Sequence, residues 1–263
     1  MVFHFAQKKL NNSLIPCLKV NNNQLKYVTN FNFLGITLDD TLSWNRHVSN
    51  ISNKLSRTCG VITSLKNYLP AHILKQLYTS LMLPILCYGV CVWGYNNCHR
   101  LKVIQKRTLR HISHSKFNAH TKPICKQLNL LLFNDIHSFM LLKLLYKITH
   151  KTVPGYFVNF PCFPKVNNTV TRRTISAPAY LSDFSSSLPS FRPTIELSWT
   201  NKIVTQRCLR HQIPQIINSN IFPNIVLEKI ATHSFIAFTN YTKSYIISNY
   251  TTQCMNSNCF SCQ

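Results

Sequence analysis

Acidic residues are nearly missing from this 263-residue chain. Asp39, Asp40, Asp135, Asp183, Glu196 and Glu228 stand against 29 Lys and Arg. Six scattered carboxylates leave little for two-carboxylate hydrolysis or a two-metal centre, both of which need acids converging on one point. Glycine is also scarce, at five, which argues against glycine-rich phosphate-binding loops. The chain does not open on a charged stretch, an apolar run and a small-residue cleavage site. Its 11 cysteines are odd in number and scattered, so the spacing implies no disulfide framework. The expected setting is intracellular, nucleus or cytoplasm, and not secreted.

What remains is positive charge. The formal net charge is +23, and so few acids cannot neutralise it internally. A polyanion is the expected partner. Nucleic acid comes first, because Lys and Arg contacts to phosphate release condensed counterions and supply most non-specific affinity. An anionic membrane surface comes second.

Residues 1–40 read as a small β unit: "MVFHF" is a short apolar run, "LKVNNNQLKYV" flanks an Asn-rich turn, and "FNFLGITL" reads as a strand. From Ser43 the period changes. Trp44, Val48, Ile51, Leu55, Cys59, Ile62, Leu65 and Leu69 recur at three and four, predicting a helix with Ser43 as N-cap and Pro70 closing the run. A second helix is expected over 71–88, with Leu74, Leu77, Leu81, Ile85 and Tyr88 inward and a kink at Pro84. A third, 100–112, would turn Leu101, Ile104, Thr108 and Ile112 inward. A fourth, 131–147, would bury Ile136, Phe139, Met140, Leu144 and Lys147. After His150 prolines and a serine run mark a loop-rich extension. Three units are therefore expected: 1–40, 41–150 and 151–263. The uncharged stretch 77–95 meets the length of a membrane span, yet Pro84, Gly89 and Gly94 interrupt it and favour a buried bundle helix.

On the third helix Lys102, Lys106 and Arg110 are spaced by four and form a stripe, with Arg107 beside it. The first helix adds Arg46, Lys54 and Arg57. Solvated helix faces are normally charged, but they mix signs, and no acid occurs from Thr41 to Asn134. These seven side chains are the candidate phosphate contacts. His99, His111, His114, His120 and His137 match no zinc spacing. Cys254, Cys259 and Cys262 give C-x4-C-x2-C, a half-site without a nearby fourth ligand.

In order along the chain, "MVFH", "FNFLGITLDDTLSWNRHVSNI", "LPAHILKQLYTSLMLPILCYGVCVWG", "LKVIQKRTLRHI" and "NAHTKPICKQLNLL" resemble the carboxy-terminal third of reverse transcriptases of non-LTR, LINE-type retrotransposons, close to the jockey group. "TRRTISAPAY" and "FRPTIELSWTN" continue the likeness more weakly, and the family's aromatic-Asn block is altered at Trp199-Thr200-Asn201. The resemblance implies that Phe33, Leu34 and Gly35 belong to a primer-grip hairpin at the end of the palm, and that the following helices form a thumb. It places the family's catalytic Tyr/Phe-x-Asp-Asp turn upstream, so Asp39 matches an acidic position after the grip and not a metal ligand. Asp40 lies just before a helix, where the dipole favours negative charge.

The resulting expectation is an α+β, mainly α chain with a primer-grip β unit, a thumb-like helical bundle and a loop-rich extension. Its function would be that of a truncated RNA-directed DNA polymerase fragment, retaining template–primer binding and lacking the catalytic palm. Its partner would be an RNA–DNA or DNA duplex held without sequence preference, with no small-molecule substrate. No cofactor is expected in this chain, Mg2+ belonging to the parent family's active site. Two other readings are a membrane-anchored basic protein spanning at 77–95 and a translated remnant without function.

Overall fold

The computed structural model describes residues 19–24, 28–96, 98–154, 212–213 and 224–250. The first and last elements of the expected likeness, the basic pair Arg172-Arg173 and the C-terminal cysteine half-site all lie outside these residues.

Two small antiparallel hairpins come first. β1 (Lys19–Val20) pairs with β2 (Asn23–Gln24) across Asn21 and Asn22, at φ 48 and 62. A two-residue hairpin turn needs positive φ at both central positions, and asparagine tolerates it. β3 (Asn30–Phe33) pairs with β4 (Ile36–Asp39) across Leu34 and Gly35, at φ 48 and 79. Glycine suits that geometry, whereas leucine there is uncommon.

Helix α1 (Asn45–Leu65) buries Val48, Ile51, Leu55, Cys59 and Ile62 on the face the sequence predicts, with Trp44 beside them. The N-cap is Trp44, in the left-handed conformation, and not Ser43. Ser43 is drawn away because its hydroxyl donates to the Asp39 carboxylate. Leu55 has no exposed surface, so Leu55→Ala should cost about 2–5 kcal/mol, the range for emptying a buried leucine site. Urea unfolding measures this, and a change below about 0.5 kcal/mol, as at surface sites, would show the face to be wrong.

The expected second helix is broken into pieces: α2 (Ala71–Leu77), a π turn (Tyr78–Met82), α3 (Leu83–Cys87) and α4 (Val90–Trp93). The Leu83 N–H reaches back to the Tyr78 carbonyl, and Pro84 has no N–H to continue the ordinary ladder. A π turn takes up extra residues, so the buried positions become Leu74, Tyr78, Met82, Leu86 and Val90, every fourth residue. Of the predicted inward set only Leu74 is fully buried, while Leu81 and Tyr88 are 45% and 54% exposed. An extended Tyr88 and a left-handed Gly89 at φ 63 then separate α3 from α4. The stretch 77–95 is therefore not one helix. Among the described residues no single helix is long and apolar enough to cross a membrane, and a joined pair that would be, 121–128 with 133–149, is bent by 49°.

α5 (His99–Ile112) buries Leu101, Gln105, Thr108, Leu109 and Ile112. α6 (Thr121–Leu128), which the sequence reading did not separate, packs beside it. α7 (Phe133–Thr149) is apolar nearly all round, and it buries Phe133, Ile136, Leu141, Leu142, Leu145, Tyr146 and Ile148. Of the expected set only Ile136 is fully buried, and Lys147 is exposed. The physical reason is that α7 is covered on two sides, by α3 and α4 and by the C-terminal helix α9 (Phe235–Ser248), so no single stripe marks its inner face. α8 (Asn224–Thr232) and α9 fall in the part expected to be loop-rich, yet Val226, Ile230, Phe238, Ile246 and Tyr250 share the core of α1–α7. Hydrogen bonds fasten them: Tyr146 donates to the His233 carbonyl at 2.7 Å, and Tyr250 donates to the Asp135 carboxylate at 2.5 Å.

Gln105, 1% exposed, makes three hydrogen bonds within the core. Its Nε2 donates to the Tyr78 hydroxyl at 2.8 Å and the Leu131 carbonyl at 3.0 Å, while its Oε1 accepts the Phe133 N–H at 2.8 Å. It thereby joins α5 to the π turn and to the start of α7.

Candidate nucleic-acid interface

α1 and α5 lie side by side and run the same way. Arg100, in the first turn of α5, donates to Asn53 of α1 at 3.4 Å. At the other end Lys66 and Arg107 both act electrostatically on His111. Neither helix carries an acid. Arg46, Lys54 and Arg57 are exposed along α1, and Lys106 and Arg107 are exposed along α5. Lys102 is half-buried and near enough to α7 to act on His137: burial first, against a hydrogen bond to Gln212, and then the Lys102 charge hold that imidazole below its ordinary pKa. Arg110 is half-buried, and its Nε donates to the Ala119 carbonyl at 2.8 Å, tying down the loop between α5 and α6. Burial also draws its pKa down, though a guanidinium remains charged. The stripe thus divides: Lys106 and Arg107 face solvent, Lys102 flanks α7, and Arg110 serves the loop. Arg100 and Lys66, absent from the candidate set, join the basic face. Arg100 stood in plain view at the start of the helix but outside the four-residue register that begins at Lys102.

The β3–β4 hairpin sits against α1 through β4. The Thr37 N–H donates to His47 Nδ1 at 3.2 Å, and Asn50 donates to the Thr37 hydroxyl at 3.3 Å. His47 is buried with its ring edge-on to Trp93, centroids 5.5 Å apart. Since Nδ1 accepts, the neutral ring carries its proton on Nε2. Burial, and then Lys54, hold its pKa below the ordinary value, so the ring stays neutral near pH 7. At the hairpin tip the Tyr88 hydroxyl donates to the Leu34 carbonyl at 2.5 Å. Gly89 leaves room for β4: a Cβ there would stand 2.7 Å from Ile36 Cδ1. The tip is apolar and open, with Phe31, Phe33 and Leu34 at 51%, 57% and 74% exposure. Of the three grip candidates, Phe33 and Leu34 are presented outward, and Gly35 supplies the turn against Tyr88.

Asp39 closes the other end of the hairpin. Its Oδ2 accepts from the Ser43 hydroxyl and from Thr41 at 3.2 Å, and its Oδ1 accepts the Trp44 N–H at 3.3 Å. The Asp40 N–H returns to the Thr29 carbonyl at 3.0 Å. A Mg2+ site needs oxygens disposed octahedrally, and both oxygens of Asp39 are already committed to the start of α1. Among the described residues no three of His, Cys, Asp and Glu are grouped to hold an ion. The carboxylate of Asp39 thus links the end of β4 to the start of α1. Among the described residues, burial pushes the thiols of Cys91 and Cys98 up to about 11 and that of Cys125 up to about 12, away from the reactive thiolate.

The chain is similar to RNA-directed DNA polymerases of mobile elements. It is 29% identical over 120 residues, 43% of its length, to the RNA-directed DNA polymerase from mobile element jockey of Drosophila melanogaster. It is 24% identical over 115 residues to the protein of the same name in Drosophila funebris, and 26% identical over 104 residues to a probable RNA-directed DNA polymerase from transposon BS of Drosophila melanogaster. The matched part spans 12–13% of these relatives' lengths. No family model and no solved structure matches the chain.

Proposed function

We propose that this chain carries the template–primer-holding parts of an RNA-directed DNA polymerase and, among its 263 residues, none of the catalytic palm. The observation that carries the reading is the pair of parallel helices, α1 and α5, which expose bases and contain no acid. A polynucleotide backbone is the partner whose charge such a face complements. The curated relatives' names point the same way. In this reading α1 and α5 act as a thumb and track an RNA–DNA or DNA duplex by shape and phosphate, without reading bases. The hairpin with Phe33, Leu34 and Gly35 holds the primer end. The setting is intracellular, nucleus or cytoplasm, where such templates occur, and any Mg2+ serves carboxylates other than Asp39 and Asp40.

The test is salt dependence. Lys54, Arg57, Lys106 and Arg107 replaced together by Ala should flatten the plot of log affinity against log salt by about three to four, since each phosphate neutralised on B-DNA contributes about 0.9. Sequence preference should change little. Arg110 is left intact because its bond to Ala119 holds a loop. A folded quadruple variant that retains the parental slope would place the duplex elsewhere.

A further inference from the structure

A second basic surface lies on α7 and α9, and it differs from the first in carrying aromatic rings. The Nζ atoms of Lys143 and Lys147 stand 5.5 and 5.4 Å from the centroid of the same ring, Phe235, and Lys143 also lies 5.4 Å from Phe139. Lys229 of α8 sits 4.4 Å from the Tyr241 ring. These rings are partly exposed, and Ile236, next to Phe235, is 72% exposed. Beyond Asp135, in its first turn, α7 has no acid, and α9 has none; α8 has one, Glu228.

Two ammonium groups on one ring attract the ring and repel each other. The attraction fixes their position, and the repulsion is the kind of cost that an arriving anion relieves. The helix dipole accounts for Lys147, in the last turn of α7. It does not account for Lys143, further back. The combination of two cations sharing one ring with partly open aromatic rings is the chemistry of single-strand binding, in which phosphates meet the lysines and splayed bases stack on rings. A duplex keeps its base faces stacked inside and cannot use such rings.

We propose that the Lys143, Lys147, Phe235 and Lys229, Tyr241 surface binds single-stranded polynucleotide, separately from the duplex face on α1 and α5. Phosphates draw the ammonium groups off Phe235, and a base takes the vacated ring face.

The full chain is titrated with oligo(dT) and oligo(U), with a mixed-sequence duplex, and with phosphatidylserine vesicles. Lys143→Gln, Lys147→Gln and Lys229→Gln combined keep most of the side-chain stems while removing the charge. This variant should flatten the single-strand salt slope by about two, at roughly 0.7 per phosphate, and leave the duplex slope unchanged. Phe235→Leu should weaken oligo(dT) binding by about 5- to 100-fold, the loss of one stacked base, with duplex affinity unaltered. The Lys54, Arg57, Lys106, Arg107 variant should retain single-strand binding, so the two surfaces stand or fall separately. Unchanged oligo(dT) and oligo(U) affinity in the folded triple variant overturns the proposal. So does a loss confined to vesicle binding, which would make the surface a membrane contact.

Discussion

Gln105→Ala is expected to remove about 3 kcal/mol of stability or more, because it leaves three buried polar groups without a partner at about 1–3 kcal/mol each. Gln105 is 1% exposed, and all three of its hydrogen bonds run to groups on other elements. The Phe133 N–H is one of the first-turn donors for which a helix has no internal acceptor. The Leu131 carbonyl belongs to the short connection leading into α7, and the Tyr78 hydroxyl lies within the π turn with no exposed surface. A typical domain is stable by about 5–15 kcal/mol, so the variant should lose a large part of its margin. Urea unfolding followed by circular dichroism gives the number. Tyr78→Phe deletes only one partner and should cost far less, on the order of 1 kcal/mol. Equal costs for the two changes, or a Gln105→Ala cost under about 1 kcal/mol, would mean that the network does not join the three elements.

That glutamine marks where the sequence stopped being legible. A lone Gln among apolar helix positions reads as surface, since amides are mostly exposed, and only the placement of Leu131 and Phe133 turns it inward. α1 was legible because its apolar residues keep one period for 21 residues on one side only. The next segment was not, because its residues repeat every four and a 3.6-residue template slides off them by Leu77 and Leu81. α7 defeated periodicity for the opposite reason: covered on two sides, it leaves only a narrow polar strip, at Lys143 and Lys147, against which to set a phase. The first hairpin was marked by the Asn-rich turn at Asn21-Asn22, whereas "FNFLGITL" read as one strand and in fact turns back at Leu34-Gly35, where φ is positive.

The basic face was legible to the same degree. The lack of acids from Thr41 to Asn134 pointed to α1 and α5 together, and the structure sets those helices in parallel contact. Arg110 shows the limit. Its partner, the Ala119 carbonyl, lies nine residues on in a returning loop, which helical spacing does not encode. The cations on Phe235 were likewise out of reach, since Lys143 and Lys147 meet that ring only through the docking of α9 on α7.

Asp39→Ala should cost about 2–3 kcal/mol, above the roughly 1 kcal/mol usual for a lost N-cap, while Mg2+ should leave the stability of the parent chain unchanged. The carboxylate accepts from Thr41, Ser43 and Trp44, and hydrogen bonds to a charged acceptor contribute about 1.5–3 kcal/mol each when well formed. Partial exposure of Asp39 and the 3.2 and 3.3 Å lengths of two of the bonds weaken them, so the sum falls to about the contribution of one well-formed bond. The loss should loosen β4 from α1, because the same carboxylate ends the strand and starts the helix. A metal role predicts the reverse pattern. An ion bound by Asp39 and Asp40 at 100 times its dissociation constant would stabilise the chain by about 2.7 kcal/mol, and Asp39→Asn would abolish that gain while keeping one acceptor oxygen for the helix start. Thermal unfolding of the parent, Asp39→Ala and Asp39→Asn chains, each with EDTA and with millimolar Mg2+, separates the two. A melting temperature that rises with Mg2+ in the parent alone would return Asp39 to the metal. An unaltered melting temperature in the parent, with Asp39→Ala well below Asp39→Asn, is the result that the commitment of both oxygens to residues 41–44 requires.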